Sequence, residues 1–247
     1  MTRSLSLLYA VLCYALFLVV FLYSIGFVGN AFVPRSIDGG EGVEPGPLIG
    51  SLITDALLLG LFAVQHSVMA RPAFKRMWTR IVPAAIERST YVLFSSLALA
   101  ALFYWWQPLP QPVWTLDGIA AQAMLGLFAV GWVIVLSSTF LIDHFDLFGL
   151  RQVWAYRRSG ETPPPEFRTP LFYRMVRHPL YLGFIIAFWA APTMSQGHLA
   201  FAIATTAYIL IAIQLEERDL VGTFGDRYRD YQKRVSMIVP WFARKAA

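Results

Sequence analysis

Six stretches of nearly uninterrupted apolar residues run through the chain: Leu5–Val28, Leu48–Gln65, Ser89–Trp106, Gly118–Ile142, Leu180–Met194 and Leu199–Leu215. The charges, prolines and glycines gather mostly between them. A helix that crosses a bilayer needs about 20 apolar residues at roughly 1.5 Å each. The first four runs meet or approach that length, while the fifth and sixth are shorter. Only Ser195-Gln196-Gly197-His198 separates these last two. The separator is polar and contains a glycine, which predicts two helices of a tight hairpin rather than one long broken element. The pattern therefore predicts an all-α integral membrane protein with six transmembrane helices, the last two forming a short hairpin.

Composition agrees with a chain that lives in lipid. Hydrophobic residues make up 57% of the 247 and charged residues 14%, against about 25% charged in soluble domains, and the mean hydropathy is +0.55. A net charge of +5 raises the question of nucleic acid. The basic residues are not gathered into one patch, however; they sit in short segments between apolar runs, as membrane topology is encoded. The expected partner is the bilayer, not nucleic acid. Of the 20 Lys and Arg residues, only Arg35 falls in a segment on the opposite side from the rest. The positive-inside rule then gives six spans with the N- and C-termini cytosolic.

The first apolar run spans 24 residues and no small-x-small site follows it, so it reads as a retained helix rather than a signal peptide. Residues Asn30–Pro47, which include Arg35, Asp38, Glu41 and Glu44, read as an external loop. Arg157–Thr169, with Pro163-Pro164-Pro165, reads as a semi-rigid cytosolic loop. The single cysteine, Cys13, lies inside an apolar run, which removes a disulfide framework or cysteine-rich metal site. No internal repeat is visible, and the chain is expected to be one domain, 1–247.

Ionisable residues at the ends of spans are costly and mark candidate function. His66 ends the second run; Asp143, His144 and Asp146 end the fourth. Arg177 and His178 start the fifth, and Glu216 and Glu217 end the sixth. On the six-span topology all four ends face the cytosol, while Asp55 stands apart toward the outer half of the second span. Acids at a helix C-terminus oppose the macrodipole, so Glu216 and Glu217 need another source of stabilisation. Arg177-His178-Pro179-Leu180-Tyr181-Leu182-Gly183 precedes Glu216-Glu217 by 33 residues. This places a cationic and an anionic cluster on the two flanks of one hydrophobic hairpin, an arrangement suited to a zwitterionic cofactor that carries a ribose.

The stretch Tyr173–Gly183 resembles the Arg-His-Pro-x-Tyr-x-Gly signature of membrane methyltransferases, a group that includes isoprenylcysteine carboxyl methyltransferases and phospholipid N-methyltransferases. Glu216-Glu217 through Phe224-Gly225-Asp226-Arg227-Tyr228-Arg229-Asp230-Tyr231 to Val239-Pro240 resembles the ending of the same group. The resemblance implies that S-adenosylmethionine binds to the hairpin and its flanks. Tyr173, Arg177, His178, Pro179, Tyr181 and Gly183 would shape the methionine and adenine end, and Glu216 and Glu217 would receive the ribose hydroxyls. Residues 171–241 then form the cofactor-binding part and residues 1–170 the substrate side. No Gly-x-Gly-x-x-Gly follows a strand pattern, which excludes a soluble Rossmann-type methyltransferase.

Ser138-Thr139-Phe140-Leu141-Ile142-Asp143-His144-Phe145-Asp146-Leu147-Phe148-Gly149-Leu150-Arg151-Gln152-Val153 differs from the prenyl and phospholipid enzymes. Together with Gln65-His66-Ser67, it makes the whole chain similar to the bacterial methanethiol S-methyltransferases, within the NnrU-like group. That resemblance implies a bacterial inner-membrane enzyme that methylates methanethiol to dimethyl sulfide, with Arg151 and Gln152 on the substrate side. Alkyl thiols, like a cysteine of pKa about 8.5, are mostly protonated at neutral pH, so a base near the sulfur is expected. His144, oriented by Asp143 or Asp146, is the first candidate and His66 the second. No metal is required. The alternatives are methylation of a prenylcysteine carboxylate or a lipid amine, and a haem-binding NnrU-like protein using His66 and His144 as ligands.

Overall fold

The computed structural model describes residues 2–40, 42–159 and 167–240. Glu41, Pro163-Pro164-Pro165 and the expected end of the cofactor-binding part at residue 241 lie outside the described residues. The helices in chain order are α1 (Arg3–Gly29), α2 (Leu48–Ala70), α3 (Pro72–Trp78), α4 (Ala84–Trp105) and α5 (Gly118–Ile142). They continue with α6 (His144–Leu147), α7 (Leu150–Ser159), α8 (Pro179–Trp189), α9 (Gln196–Phe224) and α10 (Asp226–Arg234). The remaining regular structure comprises a 3₁₀ turn at Leu171–Arg174 and short strands of two to four residues. The chain is all-α, and α1, α2, α4, α5 and α9 are long and apolar enough to cross a membrane.

The last two runs differ from the short hairpin expected of them. α8 has 11 residues and stops at Trp189. Pro192 follows shortly after; it lacks an N–H and disfavours helix in the residue before it. α9 has 29 residues and is the longest described helix. Its first turn contains most of the expected separator, because the Ser195 hydroxyl accepts the His198 N–H at 3.0 Å and donates in turn to Asp38. A serine so placed is a helix N-cap. At the other end α9 continues past Leu215 through Glu216 and Glu217, where hydropathy falls but helix propensity does not.

The chain forms two compact units. The first comprises Met1–Val113, His144–Pro165 and Ser195–Ala200. In it α1 and α2 pack against α4, and α7 closes against α1 and α4. Helix α4 lies at the centre, with Ser89, Thr90, Ser95 and Ser96 buried on it. Small polar residues let helices approach closely where no hydrophobic force separates helix from lipid, and the Tyr9 hydroxyl meets Thr90 Oγ1 at 3.0 Å. Ile49, Ile53, Leu57, Leu61 and Val64 of α2 point outward and are exposed, as lipid-facing positions of a span are. The loop after α1 folds back on itself through the paired strands β1 (Arg35–Ser36) and β2 (Gly39–Gly40). It inserts Ile37, whose carbonyl accepts from Trp106 Nε1 at 2.9 Å. Asp55 is buried and accepts the Gln107 N–H at 2.8 Å, which ties α2 to the end of α4.

The second unit comprises Trp114–Asp143, Glu166–Met194 and Phe201–Ala247. α5 and α8 meet backbone to backbone at Gly131 and Gly183. A Cβ on Gly183 would lie 2.7 Å from the Gly131 carbonyl oxygen, and one on Gly131 2.6 Å from the Ala187 nitrogen. Beyond this crossing Trp132 packs edge-on against Phe184 at 5.7 Å. Ile209 and Ile213 of α9 form a core with Ile238, flanked by Tyr181, Leu182 and Ile185 of α8.

Candidate functional site

Two backbone features fix the Arg177-His178 corner. Residues Val176–His178 are extended alongside the segment after α10: Arg177 N–H donates to Ser236 at 2.8 Å and His178 N–H to Met237 at 3.1 Å. Pro179 then opens α8 at its first helical position, where its missing N–H costs nothing. The side chains consequently turn toward α9.

Glu217 is the hub of what they meet. Its Oε1 accepts from Arg177 Nε at 2.6 Å, is 3.0 Å from His178 Nε2, and accepts from the Tyr228 hydroxyl at 3.4 Å. Its Oε2 accepts from Arg177 Nη2 at 3.2 Å and from Gln232 Nε2 at 2.8 Å. Arg177 also reaches the carbonyls of Gln232 and Val235 through Nη1. One bidentate pair thus joins the start of α8, the end of α9 and the whole of α10. Tyr231 donates to the Tyr173 carbonyl, and Tyr173 to the Ser138 carbonyl at 3.4 Å. Burial pushes the phenols of Tyr173 and Tyr228 above their ordinary value and that of Tyr231 up to about 12, so all three remain donors.

These contacts engage several of the expected residues with one another. A carboxylate has about four lone-pair sites, and five donors or potential donors already surround Glu217. Both of its oxygens accept hydrogen bonds within the chain. Arg177 likewise has its Nε and both terminal nitrogens engaged. Glu216 is placed differently: it accepts the Tyr181 hydroxyl at 2.9 Å through Oε2 and is less buried. At Gly183 the close approach is helix against helix, since α5 fills the space a side chain would need. A recess of about 260 Å³ opens beside Glu217, lined by Gln214, Arg218, Val221 and Gln232 as well. Gln232 and Tyr228 were not singled out from the sequence, although Tyr231 and Gln232 follow Tyr228 by three and four positions, which puts both near its face of α10.

The candidates in the first unit occupy another environment. His144 begins α6 and is buried; its Nε2 lies 2.7 Å from the hydroxyl of Tyr14 on α1. Gln152 Nε2 donates to Asp146, at 3.0 Å to the carbonyl and 3.1 Å to Oδ1, which ties α6 to α7. Gly149 makes the turn between them at φ +86°, and a Cβ there would lie 2.7 Å from the Ser89 nitrogen. Arg151 is exposed on α7. Asp143, assigned to the second unit, is the C-cap of α5, its N–H donating to Thr139 at 3.2 Å. His66 lies on α2 with Nε2 at 2.8 Å from the Tyr91 hydroxyl and Nδ1 at 3.2 Å from Ser95 Oγ. Both its ring nitrogens therefore face polar groups of α4. Tyr14 reads in sequence as one more residue of an apolar run, and nothing there signals its contact with His144.

Relatives of the chain show what these residues belong to. It is 57% identical over 244 residues to methanethiol S-methyltransferase 2 of Bradyrhizobium diazoefficiens, an alignment covering 98% of this chain and 93% of that one. It is 51% identical over 242 residues to the methanethiol S-methyltransferase of Mycobacterium tuberculosis, covering 98% of both chains. The chain belongs to the methanethiol S-methyltransferase family. Similarity extends further, at 32% identity over 183 residues, to nurim of Rattus norvegicus, covering 70% of this chain and 69% of that one. No family model matches the chain, and neither does any solved structure. Within the family, both the Glu217 hub and the His144 motif fall inside the aligned lengths, which cover nearly the whole chain.

Proposed function

We propose that this chain transfers the methyl group of S-adenosylmethionine to methanethiol, forming dimethyl sulfide, at the cytosolic boundary of the bacterial inner membrane. The observation that carries the reading is identity above one half, over nearly the full length, with relatives named for methanethiol S-methylation. S-adenosylmethionine supplies an electrophilic methyl group on a sulfonium. The residues around Glu217 fit such a donor, because the recess beside it combines amide, guanidinium and apolar side chains. Arg177, His178, Tyr173, Pro179 and Glu217 form the frame of that site, and Glu216 with Tyr181 accepts the hydroxyls of the ribose. Arg218, exposed at the rim, suits the donor's carboxylate.

The acceptor needs a base rather than a binding charge. His144 takes this role within its motif, with Asp143, Asp146, Arg151 and Gln152 around the substrate side and His66 holding α2 to α4. Most of the acceleration comes from aligning sulfur with methyl in a dry, apolar setting. The topology that accompanies this reading has six crossings with both termini cytosolic. Helix α8 contributes about 16 Å, and the non-helical residues 190–195 after it add up to about 20 Å if extended. Together they suffice for a hydrocarbon layer of about 30 Å.

Detergent-purified protein incubated with S-adenosylmethionine and methanethiol is expected to release dimethyl sulfide into the headspace, dependent on both. Donor binding by calorimetry without product would redirect the acceptor to a prenylcysteine carboxylate or a lipid amine. Absence of both binding and product would refute the reading.

A further inference from the structure

His144 meets a residue that the sequence did not single out, Tyr14, and the contact sits in an aromatic setting. Tyr14 contacts Phe17, Phe145 and Phe148 at centroid distances of 6.0, 6.4 and 6.1 Å. Phe17 and Phe148 are stacked at 3.9 Å, and Phe148 lies 4.8 Å from the His144 ring. His144 is 4% exposed, whereas Tyr14 is only partly buried. Tyr14 is therefore the more accessible of the two residues. A hydroxyl has one proton to give and two lone pairs to accept with. When its proton is given to His144 Nε2, 2.7 Å away, the oxygen still has an acceptor face.

We propose that Tyr14, with Phe17, Phe145 and Phe148, forms the acceptor subsite, and that Tyr14 takes the thiol proton while passing its own to His144. This deepens the methanethiol reading and rests on it. Sulfur packs favourably against aromatic ring edges, and a molecule with only a methyl group and a sulfur presents nothing else to recognise. The step balances. The S–H bond breaks and its proton goes to the Tyr14 oxygen as the Tyr14 O–H proton goes to His144 Nε2. The electron pair left on the thiol sulfur forms the new S–CH₃ bond. The donor's C–S bond breaks with its electrons kept by the donor sulfur, and His144 then releases the proton to water. Tyr14 touches substrate and is catalytic in this scheme, while His144 acts through it. Neither a phenol without a proton acceptor nor an imidazole walled off from substrate would serve alone.

Acceptor acidity provides the test, because a thiol that is already ionised needs no base. The Tyr14→Phe chain keeps the ring and its packing. It is compared with the wild type using methanethiol and two more acidic acceptors, hydrosulfide and 2,2,2-trifluoroethanethiol. With methanethiol kcat is expected to fall by about 100-fold, with the KM for the methyl donor unchanged. With the acidic acceptors the loss should shrink to about threefold or less, since the step that Tyr14 assists is no longer needed. An equal loss with all acceptors would assign Tyr14 a packing role and overturn the proposal, as would unchanged activity with methanethiol. A wild type that methylates methanethiol but neither acidic acceptor would also overturn it, because the subsite would then reject the thiolate. A wild type that yields no dimethyl sulfide at all fails at the earlier step, and is told apart by that result.

Discussion

Arg177 and Glu217, forty positions apart, meet as a bidentate pair, Nε to Oε1 at 2.6 Å and Nη2 to Oε2 at 3.2 Å. Their side chains are only 11% and 10% exposed. A pair so placed holds three helices together and is sensitive to the loss of either member, since the survivor is left as a buried charge without its counterion.

Glu217→Ala should therefore behave as a folding variant. We expect a loss of about 3–5 kcal/mol in stability, read as a lowered thermal midpoint in detergent, with donor affinity falling as a consequence. Arg177→Lys should also be damaging, because an ammonium cannot reproduce the planar fork. Glu216→Gln, by contrast, should weaken donor binding by calorimetry with the midpoint nearly unchanged. If Glu217→Ala kept its midpoint and lost only donor affinity, the hub would be a ligand site instead of a brace.

Gly183→Ala should destabilise by about 1–3 kcal/mol through overpacking, since the new methyl group would lie 2.7 Å from the Gly131 carbonyl oxygen. The check is thermal unfolding of the single variant and of Gly131→Ala. Unperturbed midpoints for both would mean that α5 and α8 are less close than their backbones indicate.

His144 and His66 should separate cleanly. His144→Gln is expected to lower turnover by about 100-fold with donor affinity intact. His66→Leu should lower the thermal midpoint while leaving turnover of the folded protein within about threefold of wild type, because its contacts are with Tyr91 and Ser95 on α4. Headspace kinetics on both variants decide it. Full activity in His144→Gln would move the base elsewhere.

Alkaline stability carries a signature of Tyr231. Burial raises its phenol to about 12 in the folded chain, against about 10 when unfolded. The unfolded state thus loses its proton first. The contribution to stability is complete below pH about 10 and is lost as pH rises toward about 12. Thermal midpoints measured across that window should decline in the wild type and decline less in Tyr231→Phe. Parallel curves would show that the phenol is not held protonated.

Much of this is legible in the sequence. Four apolar runs became α1, α2, α4 and α5, since in lipid a run of that length has little choice but helix. The spacing of the Arg-His-Pro and Glu-Glu motifs put both at one end of the α8–α9 region, but their direct pairing through Arg177 and Glu217 was not expected. Four further things were not legible. The early stop of α8 depended on Pro192 overriding hydropathy. The continuation of α9 beyond Leu215 depended on helix propensity in a polar segment that hydropathy alone ends. Tyr14 could not be found because a tyrosine in an apolar run carries no mark of what faces it from residue 144. The different partners of Glu216 and Glu217 were hidden for a related reason: adjacent residues of one type are told apart only by their neighbours in space.

Helix α9 carries one more implication. At 29 residues it is about 43 Å long, well beyond a hydrocarbon layer of about 30 Å. Its apolar body and its acid pair belong to one stiff rod. Bilayers of different thickness change the tilt of such rods, and any tilt of α9 displaces Glu216 and Glu217 together at its polar end. Acyl-chain length in the surrounding bilayer is thereby coupled, through one rigid helix, to the position of both carboxylates.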